Sequence, residues 1–171
     1  MTKSPAAPPR TSAAEQDVAL FLDNQLCFAL YSASLAMTKL YRPLLEPLGL
    51  TYPQYIVMLA LWEHGELSAG GLGERVALDS GTLVPLIRKL KALGLVERQR
   101  SASDDRSVLI SLTPAGAQLR ERAHAVNEQI GCATQHTSKQ RQALAQSLQN
   151  LRVALLGSAQ VLLSSAAEAK R

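Results

Sequence analysis

Three groups of residues in this 171-residue chain are equipped for chemistry. The first is cationic. Between Arg75 and Arg106, seven basic side chains (Arg75, Arg88, Lys89, Lys91, Arg98, Arg100, Arg106) stand against four acidic ones (Asp79, Glu97, Asp104, Asp105), although the whole chain carries only +4. Charge concentrated in this way suits a polyanion such as nucleic acid, or is simply a solvated basic surface, so local architecture has to decide. The second group is a pair of thiols, Cys27 and Cys132, far apart in sequence. Residues 1–14 are rich in Pro, Ala and Ser and lack the apolar run of a secretory leader, so a cytoplasmic location is expected. In that compartment two cysteines point to regulation rather than to a structural disulfide framework. The third group is phenolic: Tyr31, Tyr41, Tyr52 and Tyr55 all fall within 25 positions. Such a cluster either packs a core or donates hydrogen bonds to an anion. His64, His124 and His136 show no ligand spacing with the cysteines or with one another, so neither a metal nor a cofactor is expected.

The scaffold for these groups is the size of one domain, with 47% hydrophobic residues to build a core. No stretch approaches the ~20 consecutive apolar residues that would span a bilayer, so no membrane partner is expected. Residues 1–14 read as a flexible tail. A segment from about Glu15 to Leu45 has no glycine, and no proline before Pro43, and predicts a long helix within a unit spanning 15–49. Leu26, Leu30, Ala33, Met37, Leu40 and Leu44 form one stripe of that helix; Cys27, Tyr31, Ser34, Thr38 and Tyr41 form a second, more polar one. Two stripes imply two packing partners.

Residues 50–113 carry punctuation at short intervals. Thr51-Tyr52-Pro53-Gln54 is a capping box with proline in the first turn, and Ser68 caps a short glycine-rich helix through about Val76. Asp79 caps a third helix whose Leu83, Leu86, Ile87 and Leu90 point one way while Ser80, Thr82, Arg88, Lys89 and Lys91 point the other, with a bend expected at Pro85. After Gly94 the period drops to two: Val96, Arg98 and Arg100, then Val108, Ile110 and Leu112, predict a two-stranded hairpin with a charged tip. Residues 114–160 read as two further helices. The first opens at Thr113-Pro114; the second carries Leu144, Leu148, Leu151 and Leu155 in a seam suited to a partner helix, ahead of a tail over 161–171.

Short helix, turn, amphipathic helix and basic-tipped hairpin make a winged helix-turn-helix. The expected fold is therefore mainly α with a small β-hairpin, dimerising through its N- and C-terminal helices. The second helix of the motif would enter the major groove of double-stranded DNA, with Ser80, Thr82, Arg88 and Lys89 toward bases or phosphates. Arg98 and Arg100 are further candidate DNA contacts, and Arg106, oriented by Asp104, would reach the minor groove from the hairpin tip.

At these residues the chain resembles the multiple-antibiotic-resistance regulator family (MarR). Its wing pattern, Asp-x-Arg, a hydrophobic strand and Leu-Thr-x-x-Gly, occurs here as Asp104-Asp105-Arg106 through Leu112-Thr113-Pro114-Ala115-Gly116. The resemblance implies a homodimeric, non-enzymatic regulator that binds a pseudo-palindromic operator, one recognition helix per half-site. Cys27, Tyr31, Tyr41 and the run Leu50-Thr51-Tyr52-Pro53-Gln54-Tyr55 further resemble the organic hydroperoxide resistance branch of that family. By that resemblance Cys27 is the peroxide-sensing thiol, Tyr41 and Tyr52 the phenols that stabilise its thiolate, and Cys132 the resolving cysteine of the two-cysteine subgroup, closing a disulfide within one chain or, as favoured here, across the dimer.

The residues themselves add a constraint. No Lys, Arg or His lies within a turn of Cys27, so a thiolate there needs other donors; Tyr31, at i+4, shares its face. Tyr41 lies fourteen residues on, ~21 Å away along a continuous helix, so a bond to Cys27 must come from a second subunit or across a sharp break near Pro43. Two other functions compete: a repressor of the same fold that answers a small phenolic or aromatic ligand without cysteine chemistry, and a thiol peroxidase. The chain has neither the Cys-x-x-Cys pair nor the βαβ pattern of thiol-redox enzymes.

Overall fold

The computed structural model describes residues 18–100 and 108–168, and the caps legible in the sequence at Thr51, Ser68, Asp79 and Thr113 each open a helix. The chain divides into two compact units, Met1–Gln118 and Leu119–Arg171. In the first, helix α1 spans Leu26–Leu45, starting later than Glu15. A 3-10 turn at Leu22–Asn24 and an extended Gln25 (φ −86°, ψ 116°) precede it. The reason is local: the amides of Asn24 and Gln25 donate to the carbonyls of Val18 (2.9 Å) and Phe21 (3.2 Å), bonds that compete with helical ones. Pro43 lies in the last turns of α1, and a 3-10 turn at Glu46–Leu48 ends on left-handed Gly49 (φ 68°).

Helix α2, Tyr52–His64, starts where the backbone N–H and hydroxyl of Thr51 both donate to Gln54 Oε1 (2.8 and 3.0 Å). Ser68 Oγ accepts from the N–H of Gly71 (3.0 Å) and opens α3, Ala69–Val76. Three glycines make α3 weak by propensity; it is held by burying Leu72 and Gly73, where a Cβ would lie 2.9 Å from the Leu78 carbonyl. Asp79 caps α4, Ser80–Ala92, which runs through Pro85 without interruption. Leu83, Ile87 and Leu90 of α4 join Leu45, Val57, Met58, Leu61 and Leu72 in the core.

Strands β1 (Glu66–Ser68), β2 (Val96–Arg100) and β3 (Val108–Leu112) form an antiparallel sheet in the order β1-β3-β2. The hairpin therefore gains a third strand that the sequence reading lacks. Leu67 pairs with Ile110 on one side, and Arg98 pairs with Ile110 on the other. A three-residue strand is too short to show an alternating period.

Helix α5, Pro114–Ala133, begins at a tight junction. The Thr113 N–H donates to Leu95 O (3.1 Å), its hydroxyl to Gly94 O (2.6 Å), and the Gly116 N–H returns to Thr113 Oγ1 (3.0 Å). The buried Trp62 indole N–H donates to Gly116 O at 2.8 Å. A Cβ on Gly116 would sit 2.0 Å from the Leu95 carbonyl oxygen, so the two backbones must part to admit one. Gly116→Ala is expected to lower unfolding free energy by about 2–4 kcal/mol in a denaturant titration. Wild-type stability in that variant would mean that the junction is loose.

In the second unit, Leu119, Ala123, Val126 and Ile130 are buried along one face of α5. Thr137 and Gln140 repeat the capping pattern at the start of α6, Ser138–Glu168. This helix runs well into the segment read from sequence as a tail. Its Leu144, Leu148 and Leu155 are 53%, 42% and 54% exposed, while Leu151 between them is half-buried, so three of the four seam leucines face outward. Helix α1 is similar: of its twenty residues only Leu45 is buried. No helix among the described residues is long and apolar enough to cross a membrane.

Candidate functional site

The cationic face is built on α4 and the hairpin. Burial of Leu83, Ile87 and Leu90 turns the rest of α4 outward, and Ser80, Thr82, Arg88, Lys89 and Lys91 are all exposed. Asp79 Oδ1 accepts from the Thr82 N–H (2.9 Å) and Oδ2 from the Thr82 hydroxyl (3.0 Å), so Thr82 helps to cap the helix it was expected to read from. Those bonds, the backbone one first, hold the Asp79 carboxyl below its ordinary 3.8. The cap's contribution is thus present above that value and fades as pH falls through the lowered one.

Arg88 and Lys91 of α4 and Arg98 of β2 meet around a small hollow of about 160 Å³ floored by Ala69, Val84, Ile87 and Ile110. Helix and hairpin therefore present one continuous basic surface. Arg75, counted with this group in the sequence, instead donates to Glu63 Oε1 and links α3 to α2. Arg100 closes β2 opposite Val108. Asp104 and Arg106 lie outside the described residues.

Both thiols are free and exposed in the single chain: Cys27 in the first turn of α1 and Cys132 in the last turn of α5. Neither sulfur is shielded from solvent within one chain. Tyr31, one turn along the same face, is 62% exposed. The other three phenols are brought together. Tyr41 lies 4.6 Å from Tyr52 and 5.7 Å from Tyr55 between ring centroids, and Tyr55 meets the edge of Trp62 at 6.0 Å. Burial, then the neighbouring Tyr55 and Tyr52, push Tyr41 up to about 12. Burial raises Tyr52 and Tyr55 as well. All three stay protonated near neutrality and remain hydrogen-bond donors. Because α1 is unbroken from Leu26 to Leu45, Tyr41 stands ~21 Å along it from Cys27, and no phenol of this cluster reaches that sulfur within one chain.

Sequence reasoning did not single out the cleft beside the cluster. Leu35, Thr38, Lys39, Arg42 and Glu46 of α1 and the adjoining turn, with Leu50, Thr51, Tyr52 and Pro53, line an open volume of about 660 Å³. Its walls come from residues spread over 35–53, whose only joint signal is a short connection between two helices. Among the described residues, no group of His, Cys, Asp and Glu is arranged to hold a metal ion.

Residues 39–123 match the family model described as transcriptional regulator SarA/Rot. The chain is 55% identical over 102 residues to the organic hydroperoxide resistance transcriptional regulator of Bacillus subtilis, an alignment covering 60% of this chain and 69% of that protein. The solved structure of reduced AbfR bound to DNA superposes with a TM-score of 0.67 at 32% identity, covering 83% of this chain and 99% of the other. A disulfide-formed structure of AbfR aligns with a TM-score of 0.58 at 34% identity, covering 82% and 98%. AbfR is a Staphylococcus epidermidis protein. The Bacillus relative is a transcriptional regulator and AbfR a DNA-bound protein, which favours a regulator over a thiol peroxidase.

Proposed function

Because the chain belongs to the MarR family of winged-helix transcriptional regulators, in its organic hydroperoxide resistance branch, we propose that it is a homodimeric repressor released from its operator when Cys27 is oxidised by an organic hydroperoxide. One observation carries the dimeric part of this reading. The continuous helix α1 keeps Cys27 apart from the Tyr41–Tyr52 pair of its own chain, so a bond from either of those phenols to its thiolate has to come from a second subunit. The exposed stripes of α1 and α6 supply apolar surface for that subunit.

The chemistry proceeds in two steps. The Cys27 thiolate attacks the terminal oxygen of the hydroperoxide, the O–O bond breaks, and the alcohol leaves with a proton, giving a sulfenic acid. The Cys132 thiolate of the partner then attacks that sulfur and expels hydroxide, which leaves as water, to form an intersubunit disulfide. Two Cα atoms must come within ~6 Å for this bond. A shift of that size turns the paired recognition helices away from the ~34 Å repeat of successive major grooves. A thiol reductant restores binding.

Cys132→Ser separates the steps. After cumene hydroperoxide it is expected to carry sulfenic acid on Cys27, by mass spectrometry, and to run as a monomer on a nonreducing gel, whereas wild type runs as a linked dimer. Wild type that also runs only as a monomer would remove the intersubunit bridge from the mechanism.

The cleft of about 660 Å³ favours a second reading, in which a small phenolic or aromatic compound fills it and displaces DNA with Cys27 a bystander. AbfR, solved with DNA in both reduced and overoxidised forms, aligns with the chain over most of its length and supports the redox reading over this one.

A further inference from the structure

The phenol cluster does not end at Tyr55. Tyr55 meets Trp62 edge to face at 6.0 Å, and Trp62, two turns further along α2 and only 8% exposed, donates its indole N–H to Gly116 O at 2.8 Å. Gly116 is packed so closely on Leu95 that no side chain fits between them, and Thr113 ties the same point to the carbonyls of Gly94 and Leu95. Gly94 and Leu95 are the turn by which the recognition helix α4 passes into wing strand β2. An unbroken series of buried or half-buried contacts therefore runs from Tyr41 and Tyr52 through Tyr55 and Trp62 to the hinge between the two DNA-reading elements. Every link lies inside the first compact unit.

We infer that Trp62 is a positioning residue that couples the phenol cluster to the turn between recognition helix and wing, so that it governs the response of DNA binding more than DNA binding itself. The chemistry suits the role. A rigid ring transmits displacement of the ring set edge to face against it, and its single N–H fixes one buried carbonyl. Neighbouring leucines of the core fill space without either property. A contiguous path is not in itself coupling, and coupling between two sites is reciprocal: if the cluster biases the hinge, DNA bound at the hinge must bias the cluster by the same factor. This inference rests on the redox reading above for its direction of signalling, but the reciprocity gives a readout that needs no oxidation.

The test uses the full-length protein and a DNA duplex selected for tight binding to its reduced form. Trp62→Phe keeps a ring beside Tyr55 and loses the N–H; Tyr55→Leu keeps the Trp62–Gly116 bond and breaks the ring series. For each variant three quantities are measured: the rate of Cys27 sulfenic acid formation with cumene hydroperoxide, the ratio of DNA affinities before and after oxidation, and the ring NMR resonances of Tyr41 and Tyr52 at neutral pH with and without DNA. Trp62→Phe is expected to form sulfenic acid at the wild-type rate, and in both variants the affinity ratio falls by at least about fivefold. DNA is expected to displace the Tyr41 and Tyr52 resonances in wild type and in neither variant. A lowered melting temperature with an unchanged affinity ratio and an unchanged DNA-induced displacement is the result of a merely structural tryptophan and overturns the proposal. If wild type keeps its DNA after oxidation, the redox reading falls, and the tyrosine resonances decide alone: a displacement lost in both variants sustains the coupling, and no displacement in wild type overturns it.

Discussion

Cys27→Ser remains on its operator at hydroperoxide concentrations that clear the wild-type protein. Serine matches the thiol in shape, but its hydroxyl does not ionise near neutrality and forms no sulfenic acid, so neither step of the proposed chemistry can begin. The size of the effect follows from coupling arithmetic. Regulatory sites of this kind shift affinity by about 5- to 150-fold, equivalent to about 1–3 kcal/mol, and the variant is expected to lose all of that shift. Affinity of the reduced protein is expected to stay at the wild-type level, because Cys27 sits at the exposed start of α1, whereas the basic face is carried by other elements, α4 and β2. Operator binding by fluorescence anisotropy, with and without cumene hydroperoxide, checks both halves. Serine protein that still leaves the operator would move the sensor from the thiol to the cleft lined by Leu35, Arg42 and Tyr52.

What the sequence made legible, and what it did not, follows from the range of the interactions. The starts of α2, α3 and α4 are written in the four residues around Thr51, Ser68 and Asp79, because a cap is satisfied within three residues of itself. The hairpin is written in the alternation of Val96, Arg98 and Arg100 with their partners Leu112, Ile110 and Val108. Strand β1 is not, since its three residues owe their extended form to β3 alone. The start of α1 was misplaced for a related reason: Asn24 and Gln25 have no low helix propensity severe enough to announce a break, and only their side-chain bonds to Val18 and Phe21 reveal it. Within the site, the clustering of Tyr41 with Tyr52 and Tyr55 needs the fold of α1 onto α2. The contact of Trp62 with Gly116 spans 54 positions, beyond the reach of any periodic pattern. The reading of Tyr31 as a fellow donor rested on its i+4 spacing from Cys27, which the helix preserves while leaving the ring exposed and apart from the other three.

The second large effect concerns the DNA-reading face. Arg88 lies on the outer side of α4, three residues after exposed Pro85 and one turn from the edge that Leu83, Ile87 and Leu90 bury. It also stands beside Arg98 of β2 at the shared hollow, so it projects where helix and wing converge. A guanidinium there can take a guanine edge or a phosphate in two parallel bonds, which a lysine ammonium cannot do. Arg88→Ala is expected to weaken operator binding by about 1–3 kcal/mol and to narrow the gap between operator and unrelated DNA. Lys89→Ala is expected to differ in kind: as a phosphate contact it should weaken both DNAs alike and lower the slope of log affinity against log salt by about one. The two variants, titrated at several salt concentrations on operator and on scrambled duplex, separate reading from attraction. If Arg88→Ala weakens both duplexes equally, its guanidinium serves the backbone, and sequence discrimination must reside in Ser80, Thr82 or the wing.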